Sequence, residues 1–282
     1  MDRLYKKTSF ATGRLITNLY STSFSSGVKS LGRDVQDAIY AVYGFVRLAD
    51  EIVDTFHEFD KSVLIEEFER EYYCSLERGI SLNPAINAFQ LTVKEYSIPD
   101  DLVQAFLKSM KSDISEHSYD EEGIRAYIYG SADVVGLMCL KIFTHGQEGL
   151  YDSLKPSAMR LGSAFQKVNF LRDIKNDTVN LSRCYFPILK ERELDEEAKR
   201  VIISDILSDF DAAIIGIRSL PKSCRFGVFL AYKYYRRLTY KICSTSAKEL
   251  SSSRVRVSGL GKLVVYLKAL VLYKTNLYKI LK

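Results

Sequence analysis

Between Val35 and Val53 apolar side chains recur at helical spacing: Val35, Ala38, Ile39, Val42, Val46, Ala49 and Val53 fall on one face. That period makes the segment an amphipathic helix with one face committed to a core. A second stripe of the same helix carries Tyr43, Arg47, Asp50 and Asp54, at spacings of 4, 3 and 4. Glu51 points about 100° away and stands outside that stripe. Two carboxylates one turn apart repel each other by a few tenths of a kcal/mol on an isolated helix. A chain that sets them beside a buried face must also supply what neutralises them.

The arrangement recurs more than a hundred residues later. In the segment 166–177, Gln166, Asn169, Asp173 and Asp177 share a narrow fan at spacings of 3, 4 and 4. Val168, Phe170, Leu171 and Ile174 border it, Arg172 sits to the side, and Lys175 and Asn176 fall to the helix surface. A lone acid pair of this kind is most often a solvated face. Two of them, on two of the most apolar helices of the chain, make a two-sided site if they face each other across a bundle interior. Mg²⁺ is the first candidate to neutralise them, because it is held by one or two protein carboxylates with phosphates and water completing its shell. Arg47, Arg172 and Arg183 are then placed for bidentate contacts to diphosphate. Such a site suits ionisation of an allylic diphosphate. The leaving group is clamped, and the carbocation is left in a dry cavity with aromatic faces. The chain has 19 Tyr and 15 Phe for those faces, and no Trp.

The rest of the chain is consistent with long helices. Among 282 residues there are 15 Gly and only 5 Pro. Further helices are expected over 59–80 (with a stop at Gly79), 84–96, 100–117, 121–143, 156–180, 195–218 and 222–250. The run Tyr127 to Met138 is nearly all apolar or small, which suits either close helix packing at Gly130, Ser131, Ala132 and Gly136 or the wall of a cavity. Residues 1–34 are polar and Ser-rich, with Tyr20 to Ser25 offering hydroxyls to a pocket or, more plainly, to caps and turns. In the tail, 260–282, Leu263, Val264, Leu267, Leu270, Val271 and Leu277 alternate with Lys262, Lys268, Lys274, Lys279 and Lys282. Such a tail can lie on an anionic membrane or close the core with its lysines outward. No linker divides the chain, so 1–282 is read as one all-helical domain.

Several classes are excluded. A net charge of +5 without aromatic interleaving does not point to nucleic acid. Cys74, Cys139, Cys184, Cys224 and Cys243 are far apart and read as reduced thiols, and His57, His117 and His145 lack metal-ligand spacing. Neither a secretory signal nor an apolar stretch approaching the roughly 20 residues of a membrane span is expected. A cytoplasmic protein, peripheral on a membrane at most, is expected.

The two acidic segments, 50–54 and 169–177, resemble the paired aspartate motifs of the squalene/phytoene synthase family. Tyr127-Ile128-Tyr129-Gly130-Ser131-Ala132-Asp133-Val134-Val135-Gly136 is similar to its tyrosine-led cavity helix, and Ser21-Thr22-Ser23-Phe24 to its N-terminal flap. Arg183-Cys184-Tyr185-Phe186-Pro187 and Arg254-Val255-Arg256-Val257 follow in the expected order, so that the resemblance spans roughly residues 15–265. It implies an all-α isoprenoid-synthase-type bundle around a central apolar cavity. It also implies Mg²⁺-dependent head-to-head condensation of two prenyl diphosphates, with Mn²⁺ as the substitute ion. By the same resemblance Asp50, Asp54, Asp173 and Asp177 hold metal. Arg47, Gln166, Asn169, Arg172, Arg183 and Arg254 hold diphosphates. Ser23, Tyr127, Tyr185 and Tyr234 surround the flap and the reacting carbons. A bacterial phytoene synthase joining two geranylgeranyl diphosphates is the leading expectation. A C30 enzyme using farnesyl diphosphate, with NADPH if it makes squalene, is the alternative. A chain-elongating prenyltransferase or terpene cyclase fits the second motif less well, and a non-catalytic scaffold would leave two acid pairs idle. Asp133 departs from the family pattern, where glycine is usual, and Tyr20 and Thr22 replace the usual flap neighbours.

Overall fold

The structure is a computed structural model that describes residues 2–116, 118–179, 183–190 and 192–280; His117 and Lys282 lie outside the described residues. Helices α1 (Arg3–Tyr20), α2 (Thr22–Lys29) and α3 (Arg33–Asp54) open the chain. They are followed by α4 (Lys61–Arg78), α5 (Pro84–Tyr96), α6 (Asp100–Ser115) and α7 (Glu121–Ile128). A π turn, Tyr129–Asp133, leads into α8 (Val134–Phe143) and the long α9 (Glu148–Val179). The second half holds α10 (Glu196–Ser219), α11 (Lys222–Ser244), the short α12 (Ala247–Leu250) and α13 (Gly259–Lys274). The only β feature among the described residues is one bridge between Ser118 and Cys184. Local capping chemistry starts most of these elements. Asp60, Asn83, Asp120 and Asp195 accept hydrogen bonds from the first-turn amides of α4, α5, α7 and α10.

Four boundaries differ from the sequence expectation. Residues 3–20 and 22–29 are helical, although they lack a wide apolar stripe. Ser9, Gly13 and Thr17 form instead a buried face of small residues that lets α1 lie against α3 and α5. A Cβ on Gly13 would stand 2.7 Å from the Tyr40 carbonyl oxygen, so this approach requires glycine. Helix α9 starts at Glu148 and contains Pro156, whose missing N–H costs one backbone bond that the packing on α8 and α10 outweighs. The 121–143 helix is interrupted by the π turn, where Gly130 presses on α6 and a Cβ would meet the Ala105 carbonyl oxygen at 2.7 Å. The 222–250 helix stops at Ser244, and α12 is a separate turn.

Two large cores form, one among α3, α4, α5, α6 and α8 and another among α9, α10, α11 and α13, with a small third cluster around Tyr127, Phe170 and Tyr185. Residues of both large cores line one cavity. The run Glu121–Phe143 is long and apolar enough to cross a membrane by composition, but 61% of its most apolar window is buried inside the protein, as in a core helix. Helix α13 buries Val265 and Ala269 and leaves Leu260, Leu263, Val264, Leu267 and Val271 exposed; of the tail's apolar set only Leu270 is half-buried within it. Lys268, Lys274 and Lys279 are exposed alongside them, and Lys262 hydrogen-bonds Thr22.

Candidate active site

The cavity has a volume of about 1380 Å³, above the roughly 300–1,000 Å³ of ordinary ligand pockets. Two helices set its gradient. Along α3, Ile39, Tyr43, Val46, Arg47, Asp50 and Asp54 line it in order, and along α9 Leu154, Leu161, Phe165, Gln166, Asn169, Asp173 and Asp177 do the same. Both helices therefore run from a hydrocarbon end to an acidic end. The α3 face from Ile39 to Asp54 is about 22 Å long at 1.5 Å per residue.

At the acidic end each stripe carries arginines. Arg47 pairs with Glu51 and stands 3.5 Å from Asp50, with its guanidinium 4.5 Å over the Tyr20 ring. Arg183 reaches back across the chain to Asp54 at 2.8 Å. Arg172 and Arg254 both hold Asp173, the latter at 2.6 Å. Burial, and then Asp54, pushes the Asp50 carboxyl up to about 8 against the pull of Arg47. Burial, with Asp173 and Asp54 after it, pushes Asp177 up to about 7. Asp54 on α3 thus acts on Asp177 on α9, so the two stripes share one space.

This donor set fits a hard divalent cation. It is all oxygen, it is crowded, and burial drives Asp50 and Asp177 towards their neutral forms. Among the described residues no three His, Cys, Asp or Glu side chains converge closely enough to hold an ion by themselves.

Beneath the acids lies an aromatic box. Phe170 and Tyr185 stack at 4.0 Å, Tyr127 stands 5.3 Å from Tyr185, and Tyr119 backs both tyrosines. Tyr127 and Tyr185 direct their hydroxyls to Asp113 on α6, at 2.7 and 3.4 Å. Burial raises both phenols and lifts Asp113 itself to about 7 against the pull of Arg183.

The sequence-predicted residues are mostly brought together. Asp50, Asp54, Asp173, Asp177, Arg47, Arg172, Tyr127, Gln166, Asn169, Arg183, Tyr185 and Arg254 all line the cavity. Ser23 and Tyr234 do not. Ser21 caps α2, accepting from the Phe24 amide at 3.2 Å, and this phase turns Phe24, Gly27 and Val28 inward and Ser23 away. Tyr234 faces the Ser26 hydroxyl at 3.2 Å, and its neighbour Tyr235 faces the cavity, 3.3 Å from Asn169. Asp133 also faces away, accepting from Ser163 at 2.8 Å. Gln166 reaches Ser131 on the π turn at 3.3 Å. Sequence reasoning missed Asp113 and Tyr235. Asp113 had a signal, since it extends the apolar stripe Val103, Phe106, Met110 with a carboxylate. Nothing in the local sequence ranks Tyr235 over Tyr234.

The chain is similar to known proteins in sequence and in fold. Residues 17–260 match the squalene/phytoene synthase family. A 15-cis-phytoene synthase from Paracoccus sp. is 22% identical over 245 residues, covering 79% of this chain and 78% of that protein. A phytoene synthase from Cereibacter sphaeroides is 26% identical over 272 residues, covering 86% and 75%. A crystal structure of a dehydrosqualene synthase in complex with ligand superposes with a TM-score of 0.80 at 20% identity, covering 96% of this chain and 98% of that one. At that identity the superposition speaks to the fold, an isoprenoid-synthase-type helical bundle.

Proposed function

From the premise that the chain belongs to the squalene/phytoene synthase family, we propose that it condenses two geranylgeranyl diphosphates head to head into phytoene. Head-to-head condensation of prenyl diphosphates is the family's chemistry, and the C20 substrate follows the phytoene synthases among its relatives. The observation that carries the assignment is the pair of acidic stripes at one end of a long apolar cavity, each beside arginines. Asp50, Asp54, Asp173 and Asp177 would hold Mg²⁺, or Mn²⁺ in its place. Such an ion, when bound, supplies charge neutralisation for the departing diphosphate.

The protein's own residues do the rest. Arg47, Arg172, Arg183 and Arg254 offer planar forks for diphosphate oxygens, and Gln166 and Asn169 add polar contacts along the same stripe. The prenyl chains lie along α3 and α9 towards the hydrocarbon end, where water is excluded. Phe170, Tyr127 and Tyr185 present ring faces that stabilise positive charge as the first diphosphate leaves. The double bond of the second substrate captures that cation, and loss of a proton closes the ring to a cyclopropylcarbinyl diphosphate. This ionises in turn, rearranges and loses a proton. Product extraction after incubation with geranylgeranyl or farnesyl diphosphate, with and without NADPH, tests the proposal. Phytoene by mass, formed without NADPH and abolished by chelator, is expected. A C30 hydrocarbon alone would move the assignment to a squalene or dehydrosqualene synthase, and turnover indifferent to chelator would remove the metal.

The tail supports peripheral membrane contact. Leu260, Leu263, Val264, Leu267 and Val271 project from α13 beside lysines, which suits an anionic bilayer surface. Cosedimentation with anionic but not zwitterionic vesicles is expected, and equal recovery with both would reject charge-assisted docking.

A further inference from the structure

Asp113 is a carboxylate that the condensation described above does not use. It is 5% exposed, it lies on α6 outside both acidic stripes, and it contributes to the cavity wall. Its side chain accepts the Tyr127 hydroxyl at 2.7 Å and the Tyr185 hydroxyl at 3.4 Å. Its backbone carbonyl accepts from Arg183 at 2.7 Å, and the same guanidinium reaches the Tyr185 hydroxyl at 3.3 Å and Asp54 at 2.8 Å. A buried carboxylate is costly unless it is fully partnered, and this one draws its partners from α7, from the loop after α9 and, through Arg183, from α3.

We propose that Asp113 is a positioning residue that turns the Tyr127 and Tyr185 hydroxyl protons away from the cavity, so that electron-rich phenols face the cation formed there. A phenol that donates to a carboxylate carries more negative charge on its oxygen and ring. Tyr127 gains most from this, because the Tyr185 oxygen also accepts from Arg183; with Tyr185 and Phe170 stacked beside it, the Tyr127 ring makes the wall next to the acids the place where a positive carbon is stabilised. Asp113 acts through the tyrosines and also steadies Arg183 against Asp54.

This role rests on the condensation proposal only for the identity of the reaction, and two measurements separate the proposals. The first is turnover at pH 8. Asp113→Asn keeps the shape of the side chain and is expected to lower kcat on the order of 10²-fold while moving KM by less than about twofold. Tyr127→Phe should do much the same, and the double variant should be little worse than either, as for groups acting as one unit. The second measurement needs no turnover. N,N-dimethyldodecylamine, cationic at this pH, and the neutral dodecyl isopropyl ether compete with an apolar dye for the cavity. The wild-type preference for the amine should fall about tenfold in both Asp113→Asn and Tyr127→Phe. If Asp113→Asn does not fold, the Tyr127→Phe result decides the matter. An unchanged amine preference, or additive losses in kcat, overturns the proposal. A wild-type protein that makes no condensed product but shows the Asp113-dependent preference would sink the condensation and leave the positioning role standing.

Discussion

The two acidic stripes have the same sequence pattern and different support. On α3, Asp50 and Asp54 stand on a helix whose back is hydrocarbon, with Val42, Phe45, Ala49 and Val53 in the first core. On α9, Ala164, Val168 and Leu171 are likewise buried in the second core, but polar groups join them. Ser163 donates to buried Asp133, and Lys167 bridges Asp205 at 2.5 Å and fully buried Asp209 at 2.7 Å. Their arginines differ too. Asp54 is held by Arg183, itself 6% exposed, whereas Asp173 is held by Arg172 and by Arg254, which is 51% exposed. In each stripe one acid has an arginine from a distant segment, and the other, Asp50 or Asp177, is pushed towards its neutral form. The same motif can thus be mounted on hydrocarbon alone or on hydrocarbon joined by a charged network, provided its open face meets the same cavity.

If both stripes serve one site, Asp54→Asn and Asp173→Asn should each lower kcat on the order of 10³-fold in the product assay. Loss in only one of them would break the two-sided site. The next effect is on stability. Arg183→Ala leaves buried Asp113 without its cation and should cost about 3 kcal/mol in denaturant unfolding. A loss under about 1 kcal/mol would place Arg183 with ordinary surface pairs.

The polar backing of α9 is exposed by pH. Burial raises Asp133 to about 7, above its unfolded value near 4, so the folded protein binds this proton more tightly. The site therefore destabilises the fold fully above pH 7 and does so less as the pH falls from 7 towards 4. Asp133→Asn should raise stability at pH 8 by on the order of 2 kcal/mol and flatten the slope between pH 4 and 7. Unchanged melting curves at both pH values would show that Asp133 is not strained. The smallest effect is expected for Arg254→Ala, under about 1 kcal/mol in stability because that guanidinium is half in water, with a rise in KM for the diphosphate as its main signature.

Much of this was readable in the chain alone. Period and spacing identified α3, α9 and their acid stripes, because a helix turns local sequence into a face. The resemblance of ordered motifs pointed to the family and to most of the cavity's polar residues. The N-terminal helices were not readable, because α1 is held by small residues fitting against Tyr40 and Ala41, a contact that exists only once α3 is in place. The inward choice of Tyr235 over Tyr234 and the outward turn of Ser23 depend on helix phase, which a cap or a neighbour sets by a fraction of a turn. The long-range pairs Arg183–Asp54 and Arg254–Asp173, and the gathering of Tyr127 and Tyr185 on Asp113, join segments far apart in sequence. Sequence determined which side chains could carry the charge. Only the tertiary structure decided which of them meet, because burial and distance set both the pairing and the protonation of each acid.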